Sequence, residues 1–264
     1  MQKLLYLLAV PAILMAKVHY AKVEPYESVV LKSAVSGQVL SVDLESEGKF
    51  IGDKEVIHLD DILDKEDLIA SKKSLEILDK TLGINQEMVR NLANSLKRQK
   101  EYYERLNKLS TASKTQKDTA FNTYISAQNQ YLSTQEKIET LARQILDLRF
   151  KIAKLEDNIR KKHIELKDRY LYKLSVRVGD YVNPGSPLAT IQDQRRAKLT
   201  LYVEPLELVD IEKKAVFIDE KKSEYRVNKV WNSADEKFIS SYRVEIYIDT
   251  PEDNFSKLVK VELK

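Results

Sequence analysis

From Ala120 onward, apolar or small residues recur at spacings that alternate between four and three. The series is Ala120, Tyr124, Ala127, Tyr131, Thr134, Ile138, Leu141, Ile145, Leu148, Ile152, Leu155 and Ile159. A 3.5-residue repeat held over this length predicts a helix with one narrow apolar seam, supercoiled left-handedly against a partner. Leu132, Leu146 and Phe150 lie off the seam and offer a second contact surface. The partner lies upstream, where Leu68, Leu75, Leu82, Val89, Leu96 and Tyr103 recur every seven residues. Leu78, Leu92 and Leu106 share the complementary positions with Ser71, Asn85 and Gln99. Polar residues in a seam weaken it but fix its register. Asn107 to Ser113 is short enough for an antiparallel turn. The pattern predicts one long α-hairpin over 64–166, with an arm of about 65 Å at about 1.5 Å per residue. Helices of ordinary globular bundles seldom exceed about 20 residues.

On both sides of the hairpin the period changes to two. Ser28–Lys32 and Gly37–Leu44 read as strands, with turns at Ser36-Gly37 and Glu47-Gly48. After the hairpin, Tyr170–Val178 reads as a strand, Gly179–Gly185 as turn, strand and turn, and Pro187–Ile191 as a short strand. Further strands are expected at Ala197–Val203, Lys214–Ile218, Tyr225–Trp231, Arg243–Ile248 and Leu258–Leu263, a spacing that suits a small barrel or sandwich. The segments flanking the hairpin echo each other: each runs strand, glycine turn, then an apolar residue three beyond the glycine, Ile51 or Val182. Two such halves predict a single β-sandwich with the hairpin inserted between them.

Charge narrows the reading further. Lys+Arg total 44 against 41 Asp+Glu, so no basic excess marks a dedicated nucleic-acid binder. The chain has no cysteine, which excludes disulfides, thiolate metal sites and a cysteine nucleophile. His19, His58 and His163 are scattered and stand near no paired carboxylate at ligand spacing, so neither a metal site nor a catalytic site is expected. No phosphate-binding glycine loop or nucleophile elbow is present. Asp60, Asp61, Asp64, Glu66 and Asp67 lack calcium-loop spacing and read as charge favouring a helix start. Lys3, the apolar run Leu4–Leu14 and Ala16 form the pattern of a secretory leader over 1–16, too short to span a bilayer comfortably. Export to the periplasm follows from cleavage, and an inner-membrane anchor follows if the leader is retained.

With these elements in place, the sequence resembles the periplasmic adaptor subunits of tripartite efflux pumps, the membrane fusion proteins of HlyD/AcrA type. The stretch Val178-Gly-Asp-Tyr-Val-Asn-Pro-Gly-Ser-Pro-Leu-Ala-Thr-Ile191 is similar to that family's second lipoyl-like half. In the first half, Lys54 stands where the family carries a second glycine. The resemblance implies an elongated α+β fold: a split lipoyl-like β-sandwich with an inserted antiparallel coiled-coil hairpin, plus a small β-barrel. The expected divisions are the leader at 1–16, a first barrel strand at 17–33, lipoyl-like halves at 34–63 and 167–194, the hairpin at 64–166 and the barrel at 195–264. The chain is expected to lack the membrane-proximal domain of larger adaptors.

Within the family, the hairpin tip docks on a TolC-like outer-membrane channel through an Arg–Leu–Ser motif. Leu106 and Ser113 match its Leu–Ser spacing, Lys114 follows, Tyr102 occupies the arginine position, and Arg105 lies three residues beyond it. Leu106 also fits the seam, and Ser113 with Gln116 makes a capping box, so both residues have a structural reason to be there. The implied function is non-catalytic. The protein would link an inner-membrane transporter, of RND or ABC type, to the channel as a trimer or hexamer without a cofactor. A coiled-coil scaffold of the cell envelope or of a secretion apparatus that transports nothing is the other class consistent with the helices.

Overall fold

The computed structural model describes residues 17–234, 238, 240–249 and 255–264; the leader expected at 1–16 lies outside them. Two helices dominate: α1, Ile62–Lys108, and α2, Lys114–Lys162. Their 47 and 49 residues make arms of about 70 Å. Every residue of the α2 seam is at least partly covered, and Ala120, Leu141, Ile145, Ile152 and Leu155 are buried. In α1 the deepest seam residues are the polar Ser71 and Asn85. Ser71 donates to Asp67 Oδ1 (3.2 Å), and Asn85 Nδ2 donates to the Thr81 carbonyl (2.8 Å). Both side chains are short enough to turn back on their own helix. Ion pairs flank the seam on both sides: Lys72–Glu156 and Asp79–Arg149 on one, Asp67–Lys151 on the other.

The helical stretch begins at Ile62 and ends at Lys162, so residues 163–166, expected in the hairpin, are strand instead. The reason is burial: Ile164 and Leu166 pack into the β core rather than continuing the seam. Strand β4, His163–Leu174, therefore follows α2 with no intervening residue. Before the hairpin come β1 (Val18–Lys32), β2 (Gly37–Val42) and β3 (Lys49–Leu59). After β4 come β5 (Tyr181–Val182), β6 (Pro187–Val203), β7 (Val216–Ile218), β8 (Lys221–Lys222), β9 (Val227–Ala234), β10 (Tyr242–Asp249) and β11 (Leu258–Leu263).

Two apolar cores organise these strands. The hairpin-proximal core joins Val39, Ile51, Val56, Ile57 and Leu59 from before the helices with Leu166, Leu171, Leu174, Val182 and Leu188 from after them. β2 pairs with β5 through Gly37↔Val182, and β3 pairs with β4 along most of its length. Gly48, Gly179 and Gly185 have φ of +76°, +93° and +92°, the conformation that glycine adopts without strain in turns. The second core gathers Ala21 and Val23 of β1, alternate residues Ala197, Leu199, Leu201 and Val203 of β6, and Val244, Ile246, Val259 and Val261.

Strands β1 and β6 run through both cores. The sequence pattern splits β6 into Pro187–Ile191 and Ala197–Val203, but the chain is extended throughout. The polar run between them bridges the cores, with Asp193 bonded to the Arg195 guanidinium at 2.7 and 3.0 Å. Strand order is β5-β2-β3-β4-β6-β1-β11-β7-β8, with β10 on β6 and β9 on β10. Among the described residues this ladder does not close, so the barrel expected over 195–264 is an open sheet. β7 and β8 are only three and two residues long, and 3-10 turns at Pro205–Leu208 and Ile211–Lys213 occupy the chain just before them.

Candidate partner-contact site

The tip of the hairpin is built by a sharp stop and a strong start. α1 ends at Lys108, with Arg105 and Lys108 in its last turn, where cations suit the negative end of the helix dipole. The Leu109 N–H then donates to the Leu106 carbonyl (3.2 Å). α2 starts on a reciprocal cap. Ser113 Oγ accepts from the Gln116 N–H (3.2 Å), and Gln116 Oε1 accepts from the Ser113 N–H (2.9 Å). Lys117 Nζ crosses the turn to the Asn107 carbonyl (3.1 Å).

The five residues singled out from sequence all lie in this region. Tyr102 is 48% exposed, Arg105, Ser113 and Lys114 are exposed, and Leu106 is half-buried on the seam. Tyr102 and Arg105 belong to the last two turns of α1, whereas Ser113 and Lys114 open α2. Lys114 sits in a first helical turn that holds no acidic residue. A cation there opposes the helix dipole, so helix stability does not account for it.

The other end of the hairpin holds a polar cluster that the sequence reading missed. His58 of β3 and His163 of β4 are direct cross-strand partners, with rings stacked 4.2 Å apart at 25°. A bulge between Glu55 and Ile57 turns Val56 and Ile57 both into the core, which leaves Glu55 and His58 on one face. His163 Nδ1 lies 3.0 Å from Glu55 Oε2, and its Nε2 lies 2.8 Å from Asp61 Oδ2. Asp61, 2% exposed, also takes the Lys65 ammonium at 2.8 Å. Burial pushes the Asp61 carboxyl up, but hydrogen bonds from Lys65 and His163 outweigh it and hold the group at about 2. The His163 ring is raised above its ordinary range, chiefly by its bond to Glu55; burial opposes this and Asp61 adds to it. Asp61, read as helix-start charge, does precede α1 but makes no side-chain cap. Asp60 supplies that bond, accepting from the Ile62 N–H at 3.1 Å. Where α1 begins and α2 ends, Asp64 and Lys162 form an ion pair.

No family model and no curated protein matches the sequence. Solved structures do match. MacA from Actinobacillus actinomycetemcomitans superposes with a TM-score of 0.75 at 13% identity, over 94% of this chain and 78% of that one. The membrane fusion protein Spr0693 from Streptococcus pneumoniae R6 gives 0.63 at 9% identity, over 94% and 99%. The chain has the membrane fusion protein fold. A MacA–MexA chimera carrying the Pseudomonas aeruginosa MexA α-hairpin domain gives 0.61 at 14% identity, over 94% and 78%. In this membrane fusion fold the departure at Lys54 is accommodated locally: its ammonium pairs with Asp43. No helix among the described residues is long and apolar enough to cross a membrane.

Proposed function

We propose that the protein is a non-catalytic periplasmic adaptor that joins an inner-membrane transporter of RND or ABC type to a TolC-like outer-membrane channel. The observation that carries this reading is the hairpin of about 70 Å, inserted between two segments of one apolar core, in a chain with the fold of membrane fusion proteins. The β structure, with the strands around its second core acting as a barrel-like module and those around the hairpin-proximal core as a split lipoyl-like sandwich, stands at the transporter side. The tip meets the channel through Tyr102, Arg105, Leu106, Ser113 and Lys114. Support at the tip comes from Tyr102, a large side chain left half in solvent, and from Lys114, placed against its helix dipole. Copies assemble as a trimer or hexamer, packing through the off-seam residues Leu132, Leu146 and Phe150, which are 51%, 65% and 75% exposed. The leader at 1–16 directs export to the periplasm.

The test is in-cell cross-linking of the tagged protein followed by identification of the membrane proteins retained. The wild type should retain one inner-membrane transporter and one outer-membrane channel. An aspartate at Leu106 must be desolvated at the contact, costing several kcal/mol when unpaired. Leu106→Asp and Ser113→Arg should therefore lose the channel, keep the transporter and keep full helicity by circular dichroism. Retention of neither membrane protein by the wild type would refute the adaptor function, and an undiminished channel contact in both variants would refute the tip as its site.

A further inference from the structure

We propose that the base of the hairpin is a binding site for a borderline divalent transition cation of the Zn2+ class, held by Glu55, His58 and His163. These three side chains each offer a ligand atom, and the three atoms lie within 4.8 Å of one another. The two imidazoles share one orientation. Both Nδ1 atoms face the Glu55 carboxylate, at 3.0 Å for His163 and 3.9 Å for His58. Both Nε2 atoms face Asp61, at 2.8 Å and 3.4 Å. One face of the ring pair thus presents two nitrogens and a carboxylate, and the opposite face rests on a buried anion. That is the division of labour of a zinc site, in which a carboxylate bonded to the far nitrogen fixes the ring and raises its basicity.

The donor set selects the ion. Two imidazoles and one carboxylate suit Zn2+ and its neighbours, whereas calcium and magnesium take oxygen donors. Zinc–nitrogen bonds of about 2.0–2.1 Å in a tetrahedral site put donor atoms roughly 3.3 Å apart. The present separations close to that by side-chain rotation, with the rings opening from their 25° stack so that the lone pairs converge. The backbone need not move, because His58 and His163 are already cross-strand partners and the bulge has already brought Glu55 to their face. His58 Nε2 is buried without a hydrogen bond, so a small turn of this ring toward Asp61 gains one. Glu55, His58 and His163 are 37%, 24% and 25% exposed, which gives the ion a path in and leaves a fourth position for water. The bound ion would tie β3 to β4 at the point where both helices leave the sheet.

The experiment titrates the purified full chain, in chelator-treated buffer at pH 7.5, with ZnCl2 by calorimetry and with CoCl2 by visible absorption. The expected result is one ion per chain with a Kd of micromolar or below, and an intense cobalt band of low coordination number. His58→Asn and His163→Asn should each weaken binding at least 100-fold, Glu55→Gln at least tenfold, and Asp61→Asn by about 10- to 100-fold as an orienting partner. His19→Asn, on β1 opposite Val261 of β11, should bind as the wild type does. The chain has only three histidines, so the wild type alone gives a second readout. In proton NMR, Zn2+ should shift the ring signals of two histidines and leave the third, which keeps the test valid if a histidine variant fails to fold. Absence of saturable binding below about 100 µM, unchanged affinity in the His58→Asn/His163→Asn double variant, or movement of the His19 signals instead would each overturn the site.

Discussion

Asp193 sits where β6 passes from one apolar core to the other, almost fully buried, and its carboxyl is held at about 2. The Arg195 hydrogen bond lowers it most; burial opposes this, and Arg169 at 3.8 Å adds a smaller pull. A depressed carboxyl contributes stability that is fully present above its unfolded value of about 3.9 and is lost as pH falls through the folded value. The contribution is roughly 1–2 kcal/mol, because the exposed guanidinium screens part of the attraction. Asp193→Asn should therefore lower stability at pH 7, and the gap to the wild type should shrink between pH 4 and pH 2, as measured by urea unfolding across that range. At this same scale the base cluster escaped the sequence reading. Glu55 and His58 are three apart, a spacing that puts residues on opposite faces of a regular strand. Only the bulge at Val56 brings them together, and only the β3–β4 register brings in His163 from beyond the hairpin. Neither is a property of the local sequence. The tip cap, by contrast, was legible in full, because Ser113 and Gln116 make it within one turn.

The helices were legible as elements because their signal repeats. Each seam position is constrained by the one seven residues away, so single polar interruptions such as Ser71 and Asn85 do not hide the pattern. The strands around the second core were located well, while their continuity was not. The run Gln192–Arg196 reads as a break because its polar residues carry no alternation, yet extended chain persists there, paired with β1 at Gln192 and Asp193 and with β10 at Arg196, across a register shift. One residue of α1 carries an element-level cost. Gly83 lies in mid-helix, and a Cβ added there would meet nothing within 4 Å. Gly83→Ala should stabilise the hairpin by about 0.5–1 kcal/mol through lower unfolded-state freedom. Thermal melting followed by helical circular dichroism checks this; a lowered melting temperature would show that the glycine serves bending of the arm.

On the scale of the whole molecule, the hairpin is an insertion into β structure whose apolar core draws on no helical residue. The hairpin-proximal core closes without it, and His58 and His163 already stand opposite each other as neighbours in a ladder. Replacing residues 62–162 by a short Gly-Ser turn should leave a soluble β protein that unfolds cooperatively. Calorimetry on this variant decides the matter, since a broad melt without a heat peak would mean that the helices complete the core. The two cores should melt together in it, because β1 and β6 are continuous members of both and neither core can lose them alone.

The direct join of α2 to β4 makes the arm a lever. A flexible linker at Lys162–His163 would let the helices swing without consequence for the sheet, but none is present. With an arm of about 70 Å, a tilt of about 5° in the β3–β4 ladder displaces the far end by about 6 Å, roughly one helical turn. A small motion at the fulcrum is thus magnified into a displacement of a full helical turn at the far end of the arm.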